Sequence, residues 1–230
     1  MTERDKTSRT TLATPMILWD LPTRIFHWSL VVCVAGSYLT GEDGNLDLHQ
    51  TFGLCVIGLV LFRIMWGFVG SESSRFASFL RGPSAILTYL RAVRSGAHPF
   101  TPTHNPLGAL SVIALLALLL VQAGLGLFAT DDIFFEGPLN GWVSYDMAAI
   151  LTGWHHLTFD GLAILIILHL VAIGAYAVLL RTDLVSPMVT GRKLAKPEDA
   201  VRAPRMAPLW LAVLLAVIAG GIAYGVTLVG

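Results

Sequence analysis

Apolar residues run along this chain in long unbroken blocks, with none of the polar interruptions of a surface helix. Five blocks stand out, at about 24–40, 48–69, 106–129, 151–180 and 209–229. About 20 apolar residues are what an α-helix needs to cross a hydrocarbon layer about 30 Å thick. The pattern therefore predicts five transmembrane helices. Residues 1–16 are polar and lack a period, which predicts a disordered tail. Between blocks two and three, residues 70–105 interleave Phe76, Phe79, Leu87 and Leu90 with Arg75, Arg81, Arg91 and Arg94. That reads as amphipathic helix on a leaflet, interrupted at Gly82-Pro83. The acidic, aromatic stretch 130–150 has the length of a short interfacial helix or cap, and 183–208 reads as a linker.

Composition agrees with the pattern. Of 230 residues 55% are hydrophobic and 13% charged, and the mean hydropathy is +0.70. Such a chain belongs in membrane lipid. Its net charge of zero hides a separation. The fifteen Lys and Arg fall in three places: at the start (Arg4, Lys6, Arg9, Arg24), between spans 2 and 3 (Arg63, Arg75, Arg81, Arg91, Arg94), and between spans 4 and 5 (Arg181, Arg192, Lys193, Lys196, Arg202, Arg205). The other two loops carry Glu42, Asp43, Asp47, Asp131, Asp132, Glu136 and Asp146 and no basic residue. The positive-inside rule then puts the N-terminus in the cytoplasm and the C-terminus outside. Nucleic-acid binding fits poorly, because the basic loop is tied down by a span at each end. Cys33 and Cys55 lie mid-span, outside any Cys-x-x-Cys-His motif, and read as small apolar fillers. Span 5 carries Gly221 and Gly225 at G-x-x-x-G spacing and no titratable group but Tyr224, so it reads as structural or as a contact for a partner.

Histidines carry the candidate chemistry. His155 and His169 are 14 residues apart in span 4, which brings them within roughly 40° of one face and about 21 Å apart in rise. His156 points roughly 140° away from His169. His27 lies about one turn inside span 1, and His49 opens span 2 with Gly53 one turn on. By depth they pair as His27 with His169 and His49 with His155. Two stacked bis-histidine sites are what electron transfer across a membrane requires, and histidine is a standard axial ligand of haem iron. Zinc would call for Cys, carboxylate or more histidines at one depth. A di-iron bundle would need Glu-x-x-His pairs. A proton relay or transporter site using His156 and Asp160, an i, i+4 pair, stays open.

The stretch from Trp19-Asp20 through Pro22-Thr23-Arg24 to His27-Trp28 resembles the bacterial di-haem cytochrome b561 family. So do His49 opening span 2, Phe79-Leu80-Arg81-Gly82-Pro83, His104-Asn105-Pro106-Leu107-Gly108 and the histidine pair of span 4. That family is related to the cytochrome b subunits of nickel–iron hydrogenases and formate dehydrogenases. The resemblance covers about residues 17–182. It implies an all-α membrane protein, a four-helix transmembrane haem-binding bundle; the fifth, C-terminal transmembrane helix at 209–230 comes from the apolar pattern and lies outside that core. It also implies two haem b ligated by His27, His49, His155 and His169, and electron shuttling between quinone and a redox partner in a bacterial inner membrane. Arg24, one turn before His27, is the candidate partner for haem propionates. Tyr89 and His104 are the candidate quinone groups. The acidic outer loops suggest a basic periplasmic partner such as a cytochrome c. The rivals are the anchor of a hydrogenase-like or dehydrogenase-like complex, a superoxide oxidase (disfavoured because no cation lines the outer loops) and the transporter.

Overall fold

The computed structural model describes residues 14–96, 103–195 and 202–229. Among the described residues eight α-helices follow in order: α1 (Leu21–Glu42), α2 (Leu46–Val69), α3 (Phe76–Phe79), α4 (Pro83–Arg94), α5 (Pro106–Gly126), α6 (Tyr145–Leu179), α7 (Val185–Thr190) and α8 (Leu209–Val226). Two short strands, β1 (Thr14–Ile17) and β2 (Arg192–Ala195), pair antiparallel. The outcome is the expected all-α membrane fold.

Among the described residues four helices, α2, α5, α6 and α8, are long and apolar enough to cross a membrane. The helix α1 is less apolar because it carries Arg24, His27, Ser37 and Thr40. Its 22 residues nevertheless reach about 33 Å. Only residues 43–45 separate it from α2, so the two helices must run antiparallel side by side, and α1 spans the same depth. Local chemistry sets the helix starts. Asp20 accepts the Thr23 amide at 2.7 Å with Pro22 in the first turn, and Asn105 accepts the Gly108 amide at 2.8 Å with Pro106 behind it. A side-chain oxygen on an orphan N–H and a proline that needs no N–H are the usual helix opening.

The helix α2 packs against α1, α5 and α8, and α5 packs against α6. The core accordingly centres on α2, with Val56, Val60, Phe62 and Trp66 buried against Phe26, Leu116, Leu119 and Leu162. The fifth span is therefore part of this packing. Its contact residues are Ala212, Ala219 and Ala223, all buried. A Cβ on Gly58 of α2 would sit 3.6 Å from the Ala223 Cβ and 3.7 Å from the Ala219 carbonyl. The glycines at 221 and 225, singled out by their spacing, meet nothing within 4 Å; alanine and Gly58 make the close approach instead.

One end of the bundle is basic and the other acidic. At the basic end Thr14–Ile17, whose first three residues were expected in the polar tail, form β1 against Arg192–Ala195. This strand pair and α7 fold over the start of α1. The Leu18 and Trp19 amides donate to the Gly191 carbonyl at 2.8 and 3.2 Å, and Gly191 has φ +78°, where a Cβ would meet the Trp19 carbonyl at 2.8 Å. The expected linker is thus partly structured. Its last part is tied to the loop after α2 through Glu72, which donates its amide to the Arg205 carbonyl and accepts the Arg205 amide, both at 2.9 Å. At the acidic end no interfacial helix forms. Residues 130–139 make a tight turn, a 3-10 turn follows at Asn140–Trp142, and α6 starts early, at Tyr145. Its 35 residues reach about 52 Å, well beyond a bilayer core.

Ala219→Leu should destabilise the detergent-solubilised protein by about 1–3 kcal/mol, since it overpacks the α2–α8 contact. Gly221→Leu should not. Thermal unfolding of the two variants side by side checks which face of α8 carries the packing.

Candidate haem sites

At the acidic end the structure brings His49 of α2 and His155 of α6 together. Their ring centroids are 6.0 Å apart and their planes are inclined by 80°. Each ring is anchored in the same way. The His49 Nδ1 lies 2.8 Å from the Ser37 carbonyl oxygen, and the His155 Nδ1 lies 2.9 Å from the Gln122 carbonyl oxygen. With Nδ1–H donating to backbone, Nε2 is the nitrogen turned to the shared space, the arrangement by which proteins orient histidine ligands; that of His155 accepts the Gln122 side-chain amide at 3.2 Å. Glycines make room: a Cβ on Gly41 would meet His49 Nδ1 at 2.9 Å, and one on Gly126 would meet His155 Cε1 at 3.0 Å. Gln122, noted in the sequence only as a polar group, therefore holds the His155 Nδ1 with its backbone, while its side chain reaches the His155 Nε2 from Nε2 and accepts the Thr158 hydroxyl on Oε1.

At the basic end His27 of α1 and His169 of α6 lie within electrostatic reach of each other. The Trp28 ring stands edge-on to His27 at 5.1 Å, and His27 Nδ1 is buried without a hydrogen-bond partner. Unbroken α6 fixes the phase of His155 and His169. By contrast, no hydrogen bond or ion pair joins His156 to Asp160 among the described residues; both are exposed.

The other predicted residues also gather at the basic end. His104 lies between Trp19 and Phe79, at ring-centroid distances of 5.0 and 4.6 Å. The Tyr89 hydroxyl is 2.7 Å from the Tyr176 hydroxyl, to which Asn105 Nδ2 donates at 2.6 Å. Burial, and then this bond, push the Tyr89 phenol up. Arg24 donates from Nη1 to the Val189 carbonyl at 2.6 Å, holding α7 over α1. His98 lies outside the described residues.

The model of the prokaryotic cytochrome b561 family matches residues 18–191. The chain belongs to that family. This cytochrome b561 is a multi-pass membrane cytochrome b of electron transfer, and its family carries haem b. It is similar to the "Probable Ni/Fe-hydrogenase B-type cytochrome subunit" of Bradyrhizobium diazoefficiens, 22% identical over 209 residues that cover 76% of this chain and 85% of the relative. No solved structure matches it.

The donor chemistry fits haem. Among the described residues no group of three or more His, Cys, Asp or Glu could hold a bare metal ion, whereas an imidazole pair is what haem iron takes. Nothing lies within 4 Å of a Cβ built on Gly53. No neighbouring helix demands that glycine, and it leaves backbone open one turn from His49.

Two residues at the basic end escaped the sequence reading. Tyr176 was hidden in a uniform apolar run. Arg63 was grouped with the loop arginines, yet it lies inside α2 at 3% exposure. Its position within an apolar block was the available signal, since an intramembrane cation is costly.

His104 gives this end a pH dependence. Burial first, then the charge of Arg63 and the proximity of His169, push it down to about 4. The unfolded chain takes up the proton near the ordinary histidine value of about 6.5, and the folded protein does not. Stability should therefore be level above about pH 6.5 and fall as the pH drops toward 4. In His104→Phe the fall should be smaller, as thermal unfolding across that range would show.

Proposed function

We propose that this cytochrome b561 binds two haem b groups and passes electrons between a quinone at its basic end and a redox protein at its acidic end. The observation that carries the proposal is the His49–His155 geometry. Two imidazoles from different helices face each other at 6.0 Å with both Nδ1 atoms held on backbone carbonyls. His27 and His169 would form the second pair, about 21 Å away along α6. The haems supply reversible one-electron redox chemistry. The protein positions the ligands, keeps water out and sets the field around them.

In this reading the basic end faces the cytoplasm of a bacterial inner membrane, as the charge separation favours. The quinone site would lie beside His104 and the Tyr89–Tyr176–Asn105 group, the ring-bearing polar side chains at that end. The partner would be a basic periplasmic protein such as a cytochrome c. Support comes from the acidic rim: Asp131, Asp132, Glu136 and Asp146 stand exposed around a turn that presents Phe134, 96% exposed. That turn is built by Asp131, whose Oδ1 accepts the amides of Ile133, Phe134 and Phe135 at 2.8–2.9 Å. Those amides hold its carboxyl below the usual carboxylate range. The name of the Bradyrhizobium relative favours a second reading, in which the chain anchors a hydrogenase-like enzyme and takes electrons from it. Co-purification of large non-haem subunits would distinguish it.

His155→Ala should lose one of two b-type haems by pyridine haemochrome assay, and His156→Ala should keep both. Loss in both variants, or in the second alone, would overturn the ligand assignment. Electron exchange with a basic cytochrome c should slow as ionic strength rises, because the Debye length is only about 8 Å at physiological salt. Asp132→Asn combined with Glu136→Gln should slow the low-salt rate severalfold while leaving the Asp131 turn intact. A rate indifferent to salt would count against charge-steered docking.

A further inference from the structure

Arg63 is a buried cation with an unanswered hydrogen bond. It sits six residues from the basic end of α2 and is 3% exposed. Its guanidinium lies 5.0 Å from the centre of the Phe76 ring, and Phe76 comes this close because a side chain on Gly67 would overlap it. Its Nη1 is buried and without a partner. Asp20 is within electrostatic reach, but its carboxylate is committed elsewhere. It accepts the Thr23 amide at 2.7 Å, the Trp66 indole N–H at 3.0 Å and the Ser74 hydroxyl at 3.4 Å. No ion pair joins Asp20 to Arg63 among the described residues. An arginine in the apolar interior without a contacting anion is strongly unfavourable, and a carboxylate on its free N–H groups removes that cost.

The surroundings indicate where that carboxylate comes from. His104 is within electrostatic reach of both Arg63 and His169, so Arg63 lies on the side of the basic-end histidine pair. Arg24, the other arginine near this end, is less buried and donates Nη1 to the Val189 carbonyl, bracing α7, although its Nε is also without a partner. We infer that Arg63 is the cation that pairs with a propionate carboxylate of the haem held by His27 and His169, and that it raises the reduction potential of that haem. The inference rests on the two-haem reading. A fixed positive charge favours the state with the extra electron, and the low dielectric around α2 leaves the effect weakly screened.

The test is a redox titration of the purified haem-loaded protein, resolved for each haem, in the wild type, Arg63→Lys and Arg63→Gln. The Gln variant should lower the midpoint of the basic-end haem and leave the acidic-end haem in place. The Lys variant, which keeps the charge but not the planar fork, should restore most of the shift. In redox-difference infrared spectra the propionate carboxylate bands should move in the Gln variant. When the protein is reconstituted with haem dimethyl ester, which has no carboxylate, Arg63→Gln should cause no further shift. Loss of the basic-end haem alone from the Gln variant also supports the pairing. Unchanged midpoints overturn it. So does an equal shift of both haems, or a full Arg63→Gln shift with the dimethyl ester; the last would assign the arginine to another acceptor such as a quinone carbonyl. Loss of both haems from the Lys and Gln variants alike would make Arg63 a folding residue and also defeat the inference. A wild-type protein without two haems would instead defeat the reading beneath it, before any variant is compared.

Discussion

A bilayer interior offers no water to polar groups, so each polar side chain carried into it must find its partner within the protein. Much of this bundle follows from that requirement. His49 and His155 reach across to carbonyl oxygens of Ser37 and Gln122 on neighbouring helices. Each bond fixes an imidazole orientation and, at the same time, the register of a helix pair: α1 with α2, and α5 with α6. Asp20 does the same at the basic end. One carboxylate caps α1, accepts the Trp66 indole N–H from α2 and takes the Ser74 hydroxyl from the loop beyond.

The helix α2 is the shared wall. It touches α1, α5 and α8, and its sequence alternates bulk with absence of bulk to do so. Val60 and Trp66 are fully buried, Gly58 admits the alanines of α8, Gly67 admits Phe76, and Gly70 admits the Trp66 ring. Small residues that let backbones approach are the usual means of packing helices in lipid, where apolar burial between helices gives little driving force. Arg63 occupies the same wall, which puts a permanent charge into the best-packed part of the protein.

The two ends of the bundle differ in charge and in how they are closed. The basic end is closed by the β1–β2 strand pair and α7, and aromatic rings surround His104. The acidic end is open, with a rigid turn that lifts Ile133 and Phe134 out among carboxylates. A closed end suits a site that excludes water, and an exposed, charged end suits transient encounters with a water-borne partner. The segregation of Lys and Arg from Asp and Glu along the chain anticipates this difference, although charge alone says nothing of the strand pair.

The apolar blocks determined the membrane-spanning helices, since length and hydropathy suffice where the solvent is hydrocarbon. The 14-residue interval in α6 determined the relative direction of His155 and His169, because an unbroken helix has a fixed phase. Motif residues around Trp19, His49 and His104 were enough to name the family. Tertiary structure alone decided the rest. That Ala219 and Ala223 rather than Gly221 and Gly225 face α2 depends on how α8 is rotated, which a uniformly apolar helix does not reveal. That His49 meets His155 depends on how α2 and α6 lie across from each other. That Arg24 braces α7 depends on a segment 165 residues further along the chain folding back over α1, and long-range pairings of that kind leave no local period in the sequence.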